Sequence, residues 1–445
     1  MHKKIPPSLV LVPLLLSVGM LAARSETRQD HSPKPDERQL PHGMHSQMEQ
    51  IARITVGQKD ADIIGADNRA LQAAVDYIAG LGGGIVEIGE GEFMMHDSLH
   101  LHSSVTVRGQ GDGTVLRKAD GHVSALALDG DYGEEQITVV DPTGFDVGHG
   151  VAVWDSRSGG FHTTVARITG RRENTFSISK PLNADCMVDN KAKAATVFPV
   201  ISGYHIEGAR IENITIDGNK ENNVHLNGCR GAGIFLYRAF GTVIQGCAVR
   251  NYNGDGISFQ QSNDVTVLDC VCENNAFLGF HPGSGSQRPA VRNCVARRND
   301  TDGLFLCWRV RHGVFEDNVL EENGRYGISI GHKDSDNVLR RNRVRLNGSN
   351  GVFFRNESLG MAAHRNRLED NRIEDNGAEK DTAGIRIRGE TNELIFKNNT
   401  IRDTRPKERQ TQTVGIRIDE KVGEVVLEGN TIEAKTRIDD RRLSR

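Results

Sequence analysis

Between residues 204 and 435 the chain repeats a glycine followed by an apolar-x-apolar triplet: Gly233 (IFL), Gly256 (ISF), Gly279 (FHP), Gly303 (LFL), Gly327 (ISI), Gly351 (VFF), Gly384 (IRI) and Gly415 (IRI). The steps are 23, 23, 24, 24, 24, 33 and 31 residues. Alternation of period two makes short strands, whereas helical repeats need longer 3.6-periodic segments, so each step predicts one coil of a parallel β-solenoid. A second column keeps the same register: Cys247, Cys270, Cys294, Asn318, Asn342, Asn371, Asn399 and Asn430. Successive coils lie roughly 4.8 Å apart, so identical side chains at one corner stack, and Asn amides there can satisfy a tight bend. A further Asn precedes several Gly strands, at Asn251, Asn274, Asn299, Asn323 and Asn347.

Outside this register the pattern changes. "GADNRALQAAVDYIAGLGGGIVEIGEGEF" offers Asp67 or Asn68 as a helix N-cap, Leu71, Ala74, Val75 and Ile78 on one helical face, then a glycine stop and a strand. This predicts a helix capping the open apolar end of the solenoid, with the first coils over 58–132. Residues 133–200 alternate apolar and polar positions between Gly, Asp and Asn turns without the coil period, and are expected to form an inserted β-rich segment whose His149 and His162 are surface residues. The coils proper are expected over 201–436, with a tail at 437–445. At the other end, Lys3 and Lys4, an apolar run from Leu9 to Leu21, and Ala22 and Ala23 read as a secretory signal over 1–24, followed by a linker over 25–57. No later stretch reaches the length of a membrane span, so a secreted or periplasmic location is expected.

Charge adds little at the level of the whole chain: 55 basic against 59 acidic residues give −4, which points to neither nucleic acid nor a membrane surface. Residues 288–372, however, hold 15 Arg and one Lys against 11 Asp plus Glu, or +5, so an anionic polymer is the expected partner of a protein read as a monomer. Of the seven Cys, Cys247, Cys270 and Cys294 fall in the ladder column and are expected to be small buried fillers where Asn is absent. No CxxC pair suggests a metal site.

The unit [NC]-x-[VI]-x-x-N-x-x-x-G-apolar-x-apolar resembles the right-handed parallel β-helix proteins of the pectate-lyase superfamily. That resemblance implies an all-β, three-sheet solenoid with an Asn ladder. The stretch "LGFHPGSGSQRPAVRNCVARRNDTDGLFLCWRVRHG" is locally similar to mannuronan C5-epimerases, which carry Gly-Phe-Asp-Pro-His-Asp here. Phe280 and Pro282 match, His281 stands for the first Asp, Gly283 for the His and Ser284 for the second Asp, and Arg309 falls near the family's basic residue. Weaker similarity to polygalacturonases lies in "NDTDG", "GISIG" and "GIRIR".

Positions +2 and +4 after each repeat Gly, and the residue before it, are expected on the outer face. They include Asp255, Ser258, Gln260, His281, Asp302, Phe305, Cys307, Ser329, Phe353 and Arg355, with Trp308, Arg309, His332, Lys333, Asp334 and Glu357 just beyond the strands. For a uronic-acid polymer the chemistry needs a cation on the C6 carboxylate, a base at C5 and a proton donor for O4. Arg309 and Arg355 are candidates for the first role, His281 for the second, and His332 or Lys333 for the third. Trp308 is a candidate stacking platform, and Asp255, Gln260, Gln287 and Asp302 are candidate substrate contacts. The leading expectation is a polysaccharide lyase or related C5-epimerase; a hydrolase and a non-catalytic glycan-binding β-helix are the alternatives. No cofactor is firmly implied, although Asp255 and Asp302 could supply oxygens to Ca²⁺.

Overall fold

The computed structural model describes residues 50–442. The expected signal segment and most of the expected linker lie outside the described residues. Each coil lays down three short strands. Two of them, for example Val243–Gln245 and Ala248–Arg250, flank the ladder corner and belong to a 22-stranded sheet that bends there. The third, for example Asp255–Gln260, belongs to an 11-stranded sheet running from Leu99–His100 to Thr436–Asp440. The coil-to-coil pairings are parallel, and from Ala232 onward they keep register, such as Ile234↔Ile257↔Phe280 and Ile328↔Val352↔Ile385. These inward residues are fully buried stacks, each contributing roughly 1.5–3 kcal/mol of burial.

The helix forms over Asn68–Gly80 because Asp67 caps it, accepting from the Arg69 amide, while Leu71, Ala74, Val75 and Ile78 are buried against the first strands. The first rung begins earlier than expected: Arg53–Gly57, read as linker, pairs in parallel with Gly84–Ile88. At the other end Thr436–Asp440, read mostly as tail, pairs with Val414–Ile418. The insertion also starts earlier, since Val123–Ala125 already joins the separate six-stranded antiparallel sheet.

The ladder column is as expected: Asn318 Nδ2 donates to Asn342 Oδ1 at 2.9 Å, Asn342 to Asn371 at 3.0 Å and Asn371 to Asn399 at 2.9 Å. Cys294 is the transition, its amide accepted by Asn318 Oδ1 at 2.9 Å. All seven cysteines are free thiols. The second column needs a correction. It runs Asn275, Asn299, Asn323, Asn347, Asn376 and Gln412, whereas Asn251 and Asn274 sit one residue earlier in left-handed conformations, φ 55° and 57°. Asn tolerates that turn position, so the amide was there for its backbone and not for stacking.

Candidate functional site

On the 11-stranded face, position +2 of successive coils forms the column Ser202, Phe235, Ser258, His281 and, further on, Ser329, Phe353, Arg386 and Arg417. His281 and Asp255 meet here. His281 Nδ1 donates to Asp255 Oδ2 at 2.7 Å, with Asp255 fully buried and His281 4% exposed. The carboxylate can only accept, so it fixes the proton on Nδ1 and leaves Nε2 as the basic nitrogen. Nε2 is buried without a hydrogen-bond partner, an unusual state for a polar atom. The "HPGSGSQR" coil is of normal length: Phe280–Gly283 pairs in register, and Ser284 and Gly285 make the corner with φ of 41° and 90°.

What covers this pair is the segment 223–231. Gly228 O accepts from Ser258 Oγ at 2.6 Å and from Gln260 Nε2 at 3.4 Å, and a Cβ on Gly228 would overlap Asp255 Oδ2. Leu226 packs with Ala152, Ala195 and Val197 of the insertion and its flank, and Arg230 Nε donates to Phe161 O at 2.7 Å, so the insertion holds this cover in place. The outer positions Asp255, Ser258 and Gln260 were expected to face a groove; they are instead sealed beneath it. A signal for the cover existed in the register. Fourteen residues separate Asp217 from Ala232, where four separate the equivalent Arg250 and Asp255.

A second cluster lies at the strand ends. His332 Nε2 bonds Glu357 Oε1 at 2.8 Å, and Arg355 Nη2 approaches His332 Nδ1 at 3.5 Å and pairs with Asp334 at 3.1 Å. Burial, then the Arg355 charge, lowers the His332 pKa; burial pushes Asp334 up to about 7, against the opposing pull of Arg355 and two amides. Trp308, 39% exposed, lies with its ring centroid 5.3 Å from that of His332, and the Arg309 guanidinium sits 5.7 Å from the Trp308 centroid. Arg309 makes no ion pair among the described residues. Phe305 touches both clusters, edge-on to His281 at 5.4 Å and beneath Arg355 at 4.4 Å.

Several candidates are thereby reassigned. Arg355 is engaged by Asp334, Ser329 Oγ and Leu306 O, which leaves it little capacity for a substrate carboxylate. Asp302 is held by a bidentate pair with Arg325, at 2.8 and 2.9 Å. Gln287 ties a turn, donating to Gly285 O and Arg309 O, and Lys333 has no side-chain partner among the described residues. The local arginine surplus is mostly spent in ion pairs on the other walls, as in Arg292, Arg340 and Arg341 on Glu316 and Arg297 and Arg298 on Glu273. With Asp255 bound to His281 and Asp302 to Arg325, neither the Ca²⁺ oxygens nor the paired acids of a hydrolase are free.

Comparisons with known proteins give four likenesses. A family model described as NosD, periplasmic copper-binding protein, matches residues 212–411. The mannuronan C5-epimerase AlgE2 of Azotobacter vinelandii is 24% identical over 306 residues, 68% of this chain and 22% of the relative. AlgE5 of the same organism is 31% identical over 99 residues, 22% of this chain and 10% of the relative. The A-module of its mannuronan C-5 epimerase AlgE6 superposes with a TM-score of 0.52 at 15% identity, covering 88% of this chain and 100% of the module. The chain is a right-handed parallel β-helix protein. It spans about a fifth or less of the length of these curated relatives.

The ladder thiols of this β-helix do not suit a copper ion. Cys247, Cys270 and Cys294 are buried in the ladder, each donating to a backbone carbonyl two residues earlier, and burial raises the Cys270 pKa well above its ordinary range. Among the described residues no group of three or more His, Cys, Asp or Glu is arranged to hold a metal.

Proposed function

We propose that this β-helix acts on an acidic polysaccharide by removing the C5 proton of a uronic-acid unit, as a lyase or C5-epimerase, outside the cytoplasm. The observation that carries this reading is the Asp255–His281 pair with an unpartnered Nε2. Likeness to mannuronan C5-epimerases supports the substrate class.

His281 Nε2 accepts the C5 proton while Asp255 keeps the imidazole in the tautomer that makes Nε2 basic and steadies the imidazolium that forms. Exposed Arg309 meets the C6 carboxylate and stabilises the charge developing on it, and Trp308 stacks on a sugar face. In elimination the C5 electron pair forms the C4=C5 bond, the C4–O4 bond breaks, and His332 or Lys333 protonates the departing O4. In epimerisation the C5 carbanion is reprotonated from the opposite face. Either course needs segment 223–231 to lift, because His281 is almost fully covered.

The test incubates the chain with a panel of uronans while ultraviolet absorbance of the unsaturated product and reducing ends are followed together. New absorbance supports elimination. Reducing ends without absorbance would replace C5 chemistry by hydrolysis, and binding with neither signal, in D₂O with no label at C5, would leave a glycan-binding β-helix.

A further inference from the structure

A cavity of about 480 Å³ lies between the first coils and the inserted sheet, away from His281 and His332. Its volume is in the range of small-ligand sites, roughly 300–1,000 Å³. The coils contribute Met94, His96, Arg117, Lys118 and Asp120; the insertion and its flanks contribute His122, Asp146, His149 and Phe198. The seam is held by backbone, with the Gly150 amide donating to His96 O at 2.9 Å.

Lys118 is the residue that asks for a ligand. It is 1% exposed, its Nζ sits 4.3 Å from the Phe198 ring centroid, and of its three donors one is met, by Ala119 O at 2.8 Å. No carboxylate pairs with it among the described residues. Asp120, whose charge acts on it, makes its hydrogen bond elsewhere, accepting from Asn219 Nδ2 at 2.8 Å, while Arg117 pairs with Asp217 and Asp146 with Arg171. A buried cation with no direct ion pair is costly, and burial, against the opposing pull of the Asp120 charge, lowers the Lys118 pKa to about 7. An anion entering the cavity would supply the missing partner.

The rest of the lining describes what else that ligand carries. His96 and His149 stack, with centroids 5.0 Å apart and planes at 15°, so their ring nitrogens do not converge on one metal point. They and His122, which also lines the cavity, present ring donors or acceptors there, and Asp120 and Asp146 add carboxylate oxygens that accept from hydroxyls. We propose that this cavity binds a small polyhydroxylated carboxylate, a sugar acid of one or two units, with its carboxylate on Lys118 and its hydroxyls on the histidines and Asp120. The proposal goes beyond the C5 chemistry above and does not depend on it.

Calorimetric titration of the full chain with glucuronate, glucose and inorganic phosphate tests it, on the wild type and on Lys118→Met, His122→Ala and His281→Ala, each checked for a native melting transition. Glucuronate is expected to bind with glucose and phosphate weaker by about tenfold or more, the carboxylate and hydroxyls each accounting for that order of discrimination. Lys118→Met should weaken glucuronate at least as much, His122→Ala measurably, and His281→Ala not at all. Equal binding of glucose or phosphate, no glucuronate binding at millimolar concentration, or unchanged binding in both folded Lys118→Met and His122→Ala overturns the proposal. Loss in His281→Ala alone would move the bound sugar to the other face and overturn it too. If no uronan is processed while glucuronate still binds through Lys118, the C5 reading fails and this one stands.

Discussion

At the ladder corner each amide answers the next: Asn342 accepts from Asn318 and donates to Phe315 O and Asn371, so nothing polar is left over. On the 11-stranded face of the same coils the opposite holds, with His281 Nε2, Gln260 Oε1 and Arg355 Nε all buried and unpartnered. A solenoid whose backbone is satisfied by its own periodicity can afford side chains that are not. The ladder is therefore the part that makes the fold, and the unsatisfied face is the part on which a function can be read.

Substitutions should separate the two regions. The largest effect is expected from His281→Ala, which should slow C5 proton removal by roughly 10²–10⁴-fold, the usual worth of a general base, while circular dichroism and the melting transition stay close to wild type. Asn342→Ala should do the reverse. Losing four hydrogen bonds in a buried ladder should cost about 2–4 kcal/mol of stability, read by denaturant unfolding, with turnover per folded molecule unchanged. Gly228→Ala addresses the cover: its Cβ cannot fit over Asp255, so residues 223–231 should be displaced and become cleavable by limited proteolysis several-fold faster. The pH-dependent effect concerns Lys118, whose folded pKa is lowered to about 7 from 10.5. Between those values the unfolded chain binds the extra proton, so wild-type stability rises with pH across that window. The melting-temperature advantage of Lys118→Met should accordingly shrink from pH 7 to pH 10, a change that a scan across buffers would detect.

Periodicity made most of the fold legible. Gly233 to Gly415 set the coils, the Cys247 to Asn430 column set the ladder, and Asp67 with its apolar helical face set the cap. The ends were not legible because Arg53–Gly57 and Thr436–Asp440 are single short strands that carry no repeat of their own. At the site, His281 was legible from its place in the outer column, but its partnership with Asp255 was not, since the two are 26 residues apart on adjacent coils. The Glu357 partner of His332 was hidden in the same way. The cover was not legible for a different reason: strand alternation says which way a side chain points, and says nothing of what a loop from an earlier coil lays over it.

His281 Nε2 is the proposed base that removes the C5 proton. Its most direct test is proton NMR of an oligouronate incubated with the full chain in D₂O, comparing wild type with His281→Ala and Asp255→Asn. Solvent deuterium should enter C5 of substrate or epimerised product, or the C5 proton should vanish into an unsaturated end, with wild type and not with His281→Ala. Label entering at the same rate in His281→Ala would contradict the assignment of the base.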